Sequence, residues 1–274
     1  MKCFDVKLNE VFPCINSDQD PTLTCFISDK TERFAPDRKK PAILIFPGGG
    51  YWCVCDHREG DPIAFNFLKN GFDAFVLRYS IAPKLYPQQL LEATAAISYI
   101  RAHADEWKID ANKIAVTGYS AGGHLAGSLG VLKEEKVLEA LNVAWQDVRP
   151  NAMVLGYPVI SSNPEFAHQC IYSVTGVPGK TDEMHKKMSL EHLVDSSTPP
   201  TYIWHTAEDT VVPVMNTIVF GAALAKNKIP FEMHVYPYGP HGLATADYAS
   251  NVPAEPHYCA EWIGEAIKFL KTIF

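Results

Sequence analysis

The chain has 274 residues, 47% of them hydrophobic and 20% charged, with a formal net charge of −7. That length suits one large α/β domain with a sizeable buried core, and an acidic balance with no basic block excludes nucleic acid and anionic membrane surfaces as expected partners. No window approaches the apolar length of a membrane span, and the start, Met1-Lys2-Cys3-Phe4-Asp5-Val6, has no stretch of signal-peptide length, so a cytoplasmic location is expected. The seven cysteines are odd in number and scattered, and read as mostly reduced, buried residues.

Residues 1–28 hold two extended segments, Thr22 to Ile27 the better of them. Asp29 to Lys40 is charged and contains proline, which predicts a turn or exposed loop. Pro41 to Phe46 is a buried strand, closed by Pro47-Gly48-Gly49-Gly50-Tyr51. Asp61 or a neighbour is expected to cap a helix through Ile63, Ala64, Phe67 and Leu68, stopped by Asn70-Gly71. Phe72 to Leu77 is the next strand, Ile81 to Pro87 a loop, and Gln88 to His103 a long amphipathic helix. Ile114 to Thr117 is apolar and β-branched, a strand buried on both faces, and a helix follows with Leu125, Ala126 and Leu129 at helical spacing. Further strands are predicted over 151–157, Thr201 to Thr206 and Phe231 to Tyr236, with helices over Asn216 to Asn227 and Ala260 to Ile273.

This alternation predicts an α/β fold with a mostly parallel sheet covered on both faces, one domain over residues 1–274. One segment, 159–198, breaks the pattern with about 40 residues and no clear strand. A small lid over the active site is one reading, and an insertion packed on the sheet edge the other.

Between the strand ending at Thr117 and the helix stands Gly118-Tyr119-Ser120-Ala121-Gly122, a Gly-x-Ser-x-Gly pattern. A serine on a sharp strand-to-helix turn holds its hydroxyl clear of the backbone, and the flanking glycines allow close approach. Ser120 is therefore the candidate nucleophile. A serine needs a base, and the base an orienting carboxylate. In a doubly wound sheet these belong in loops beyond the carboxyl ends of later strands. Asp209 follows the strand Thr201 to Thr206, and His241 follows Phe231 to Tyr236, in the order serine, acid, histidine. Glu208 is the alternative acid. His205 and His234 fall inside strands and read as core or edge residues, and His124 as packing.

An oxyanion needs preset N–H donors. Ala121, next after the nucleophile, supplies one, and the Gly48-Gly49-Gly50 turn the other, with Gly49 and Gly50 as the donors. Gly48, Tyr51 and Trp52 beside them are candidate substrate contacts, the two rings hinting at a small acyl pocket. Cys53, Cys55 and His57 alternate, but three such residues fall short of the four ligands usual for structural zinc, so no metal is expected.

These residues resemble the α/β-hydrolase superfamily, and within it the esterase/lipase group with acetyl-xylan esterase-like and "sugar hydrolase" members. The resemblance rests on Pro47-Gly48-Gly49-Gly50-Tyr51, with Pro47 where lipase-like relatives carry histidine, on Arg58-Glu59-Gly60, Leu77-Arg78-Tyr79, Ala82-Pro83 and Tyr86-Pro87, and on Gly118 to Leu125, Asp209 before Val212-Pro213, and His241-Gly242. It implies ester hydrolysis through an acyl-enzyme, with no cofactor and no metal. Ser120 would be the nucleophile, His241 the base and then acid, Asp209 the orienting carboxylate, and Gly49, Gly50 and Ala121 the oxyanion donors. The expected partner is a small-molecule ester such as an acetylated sugar, and homodimerisation is left open. Two other readings are a peptidase resembling the prolyl oligopeptidase catalytic domain and a binding module on a disabled hydrolase fold.

Overall fold

The computed structural model describes residues 1–29, 38–176, 182–250 and 257–274. Most of the loop expected between Asp29 and Lys40 lies outside the described residues.

Eight strands form one sheet: β1 (Lys2–Lys7), β2 (Thr22–Ile27), β3 (Lys40–Phe46), β4 (Asp73–Arg78), β5 (Ile109–Tyr119), β6 (Ala152–Gly156), β7 (Thr201–Thr206) and β8 (Phe231–Tyr236). Their order is β1-β2-β4-β3-β5-β6-β7-β8. β1, β2 and β4 pair antiparallel, and every pairing from β4 through β3 to β8 is parallel.

The central strands alternate their burial between two cores. Leu44, Phe46, Ile114 and Val116 pack into one, under the helices Gln88–Ala102 and Ala121–Val131. Ile43, Ile45 and Ala115 pack into the other, under Asp61–Lys69 and Trp262–Ile273. A strand buried on both faces reads as a continuous apolar run, which is why Ala42 to Phe46 carries no polar residue. Each fully buried aliphatic side chain contributes roughly 1.5–3 kcal/mol.

The helix at Asp61 starts differently from the expectation. Asp61 is its first residue, Gly60 precedes it, and no side chain caps it. The Gly60 N–H is already bonded to Asp56 O at 2.8 Å, so the helix continues a preceding helical turn, Asp56–Glu59, and needs no side-chain cap. β5 is longer than the Ile114 to Thr117 run, reaching back to Ile109 through a register shift against β3.

Among the described residues of 159–198 are three short helical pieces, Cys170–Thr175, Asp182–Lys187 and Leu190–His192. Cys170, Ile171, Val174, Met188 and Leu190 are buried in the larger core. Asn216 Oδ1 accepts the N–H groups of Ile160 and Ser161 at 2.9 and 3.0 Å, which fastens the start of the segment to the helix Met215–Lys226.

Candidate active site

Ser120 stands at the joint of β5 and the helix Ala121–Val131 with φ 54° and ψ −121°. Positive φ is strained for a residue with a side chain, so the backbone around it must be over-determined. Its N–H donates to Gly156 O of β6 at 3.2 Å, and its carbonyl accepts from His124 at 3.2 Å and Val159 at 3.0 Å. A Cβ on Gly118 would lie 2.1 Å from Gly122 O, and one on Gly122 would lie 2.1 Å from Phe46 O. The motif glycines are therefore demanded by close backbone approach.

His241, in the loop after β8, places Nε2 2.9 Å from Ser120 Oγ and Nδ1 2.6 Å from Asp209 Oδ2. A carboxylate only accepts, so Nδ1 carries the proton and Nε2 is left to accept from the serine hydroxyl. The Asp209 side chain is fully buried. Its Oδ1 accepts the N–H groups of Val211 and Val212, both at 2.9 Å, and its Oδ2 also meets His205 Nε2 at 3.2 Å. Burial alone would raise this carboxyl. The bonds from His205 and His241, the charge of His241 and the Val212 N–H outweigh it, and hold Asp209 well below the usual carboxylate range.

Glu208 is turned elsewhere, its Oε2 accepting the Gly239 N–H at 3.1 Å. His205 is fully buried and has a larger part than its place in an apolar strand suggested. Its Nε2–H is shared between Asp209 and the Val212 carbonyl at 2.9 Å, and its Nδ1 accepts from Thr217 Oγ1 at 2.8 Å. His234 sits on β8, bonded to Glu232 at 2.7 Å. His124 is buried on the helix after Ser120, between the Tyr51 hydroxyl and the Met188 carbonyl, both at 3.0 Å, and burial takes its ring down to about 4.

Ser120 and His241 open on a cavity of about 250 Å³, whose wall includes Gly49, Gly50, Arg58, Glu59 and His168. Gly49 and Gly50 thus lie beside Ser120, and Ala121 opens the helix that follows it. The other three residues expected near the substrate stand apart from that wall. The Gly48 N–H is spent on Glu59 Oε2 at 2.6 Å, the Tyr51 hydroxyl is occupied by His124, and Trp52 is 54% exposed at the surface. The Tyr51 ring braces the site from behind, edge-on to Tyr79 at 5.9 Å. The thiols of Cys53 and Cys55 are 3.9 Å apart, and among the described residues no group of three or more His, Cys, Asp or Glu is set to hold a metal ion.

A hydroxyl, an imidazole and a buried carboxylate are hydrogen-bonded in series beside a glycine turn. Such an arrangement can activate a hydroxyl for nucleophilic attack. Residues 34–224 match the BD-FAE family. The chain belongs to that family. The acetyl ester-xyloside bifunctional hydrolase of Caldicellulosiruptor lactoaceticus superposes with a TM-score of 0.83 at 34% identity, covering 98% of this chain and 96% of that one. An α/β hydrolase, MGS-M1, from a Medee basin deep-sea metagenome library aligns with a TM-score of 0.78 at 33% identity, covering 100% and 98%. The acetylxylan esterase of Xylanibacter ruminicola is 27% identical over 233 residues, which is 84% of this chain and 45% of that protein. This BD-FAE chain has the α/β-hydrolase fold, and it spans about a third to a half of the length of the curated relatives it matches.

Sequence reasoning named Arg58-Glu59-Gly60 without giving it a task, and passed over Tyr157 and His168. The one available signal was a charged pair directly before an amphipathic helix, in the stretch that follows the glycine turn.

Proposed function

We propose that the chain hydrolyses small carboxylic esters, acetyl esters of sugars among them, through an acyl-enzyme on Ser120. The observation that carries this reading is the unbroken series Ser120–His241–Asp209 opening on the cavity that Gly49 and Gly50 line. His241 Nε2 takes the hydroxyl proton as Oγ bonds to the ester carbonyl carbon. The carbonyl oxygen becomes negative and is received by the N–H groups of Gly49, Gly50 and Ala121. His241 then gives the proton to the leaving alcohol. A water repeats the sequence and releases the acid. Asp209 stays ionised throughout and stabilises the imidazolium. These steps use three side chains and backbone N–H groups, and call for no metal or cofactor.

A cavity of about 250 Å³ favours a short acyl group. Residues 159–198 contribute one wall through His168, and their buried core side chains favour a packed insertion over a wide-swinging lid. The names of the matched relatives, an acetylxylan esterase and an acetyl ester-xyloside hydrolase, agree with acetylated carbohydrate as the substrate class. A cytoplasmic site of action belongs to the same proposal, supported by seven free thiols, three of them buried. Assembly as a homodimer is the remaining part, and sedimentation tests it. No helix among the described residues is long and apolar enough to cross a membrane.

The test is a p-nitrophenyl ester series from acetate to octanoate, with acetylated xylo-oligosaccharides and a proline-containing peptide amide alongside. Short esters should be preferred, and Ser120→Ala should lower kcat about ten-thousand-fold or more. A Ser120→Ala enzyme that keeps its turnover, or a preference for the amide, would end this reading.

A further inference from the structure

Glu59 has no place in the steps above, yet it lies in the cavity wall with Ser120 and His241 and is only 5% exposed. Each of its oxygens accepts one bond. Oε2 takes the Gly48 N–H at 2.6 Å, at the head of the glycine turn, and Oε1 takes the Tyr157 hydroxyl at 2.7 Å. Tyr157 reaches on to the histidine loop. Its oxygen accepts the Ala244 N–H at 2.8 Å, and its ring stands edge-on to His241 with centroids 5.1 Å apart. Both carboxyl oxygens meet donors, which is the bonding pattern of an ionised group. A neutral acid would keep both contacts only by turning its proton to the Tyr157 oxygen, which takes from the tyrosine hydrogen the acceptor it has here.

We propose that Glu59 is a positioning residue for His241: as a carboxylate it ties the Gly48–Gly50 turn to the histidine loop, and its charge favours the imidazolium formed when the serine proton is taken. The proposal rests on the esterase reading for its consequence in turnover, though not for its electrostatics. Groups facing Glu59 are Arg58, Cys55, Tyr79, Tyr119, Tyr157 and His241. His241 is faced in addition by Asp209 and His168. Of these, Asp209 and, as the carboxylate proposed here, Glu59 are the anions, so removing one leaves the imidazolium measurably less favoured. Burial holds the Glu59 carboxyl above its ordinary range, the bonds from Tyr157 and Gly48 and the charges of His241 and Arg58 offsetting only part of that rise, so its ionisation is tested directly below.

Wild type and Ser120→Ala are compared first. Without Ser120-dependent ester hydrolysis the esterase reading fails, and Glu59 is then judged by the spectroscopic readouts alone. Glu59→Gln keeps the shape and removes the charge. It should lower kcat for p-nitrophenyl acetate about ten- to a hundredfold, with KM changed less than about threefold. It should also move the acid limb of kcat/KM to lower pH by about half a unit to one unit, because a ring without the nearby anion sheds its proton more readily. Glu59→Asp keeps the charge and should keep the limb near its wild-type position. In Tyr157→Phe, too, the limb should stay while the loop loosens.

The low-field proton signal of the protonated His241 ring reports the same shift without turnover, and should vanish at lower pH in Glu59→Gln. If limb and signal both stay where they are in wild type, Glu59 is packing alone and the proposal is overturned. One measurement needs no variant: carbon NMR of wild type labelled at glutamate carboxyls should show Glu59 ionised at pH 7, and a protonated carboxyl there overturns the proposal equally.

Discussion

The two loops that serve His241 are built in opposite ways. The acid loop, 207–213, is held by its own neighbours. Asp209 folds back on the N–H groups of Val211 and Val212, and His205, four residues upstream, closes on its other oxygen. The base loop, 237–244, is held by residues distant in sequence. Gly239 N–H is bonded by Glu208, Gly242 O by Arg58 at 2.7 Å, Ala244 N–H by Tyr157, and Ala244 O by the Trp262 indole at 2.9 Å. Gly239 and Gly242 both have positive φ, so this loop carries little conformational preference of its own. A carboxylate fixed by local turns and a base suspended from remote elements suit the roles proposed for them. In the proposed hydrolysis the anion has only to stay, whereas the ring must meet hydroxyl, leaving group and water in turn.

The largest effect should come from the fixed side. Asp209→Asn keeps the shape, but removes the acceptor that selects the ring tautomer, and should lower kcat about a thousand- to ten-thousand-fold. It also leaves His205 without its charged partner in a fully buried site, so unfolding in urea should show a loss of about 2–3 kcal/mol. On the suspended side, Arg58→Met cuts the bonds to Gly242 O and to Ser250 O at 3.1 Å. There kcat should fall about ten- to a hundredfold, with the melting temperature little changed, because the loop shifts rather than unfolds. An Arg58→Met enzyme as crippled as Asp209→Asn, or one that melts as early, would erase the contrast between the loops.

The same contrast explains what could be read in the sequence. Gly118 to Leu125 was legible because strand, turn and helix all bear on one serine within a dozen residues. Asp209 and His241 were legible because each follows an apolar strand directly, and topology sends such loops to one edge of the sheet. Strands β7 and β8 likewise begin and end where the sequence placed them, at Thr201–Thr206 and Phe231–Tyr236. What stayed hidden works across the chain. Arg58 and Gly242 are 184 residues apart, Glu59 and Tyr157 98, and no local periodicity announces either pair. Tyr51 misled for a related reason. An aromatic beside a glycine turn can face the substrate or the core, and only the position of His124, 73 residues on, decides for the core.

The smallest effect separates acid loosening of the base loop from an unrelated cause. His124 touches neither loop, yet it is buried, and its ring is held down to about 4 against an ordinary value near 6.5. The unfolded chain therefore binds a proton near pH 6.5 that the folded chain refuses until about pH 4. Stability falls as the pH drops through that window, by about 2 kcal/mol at pH 5 from this ring alone. His124→Gln loses the bonds to Tyr51 and Met188, and should be weaker at pH 7, but its stability should fall less steeply between pH 7 and 5, the difference in slope being that same amount. Urea midpoints at the two pH values measure it. Parallel slopes in wild type and variant would mean that the folded protein accepts the proton at His124 without cost, and the acid sensitivity would then have to be sought in the base loop itself.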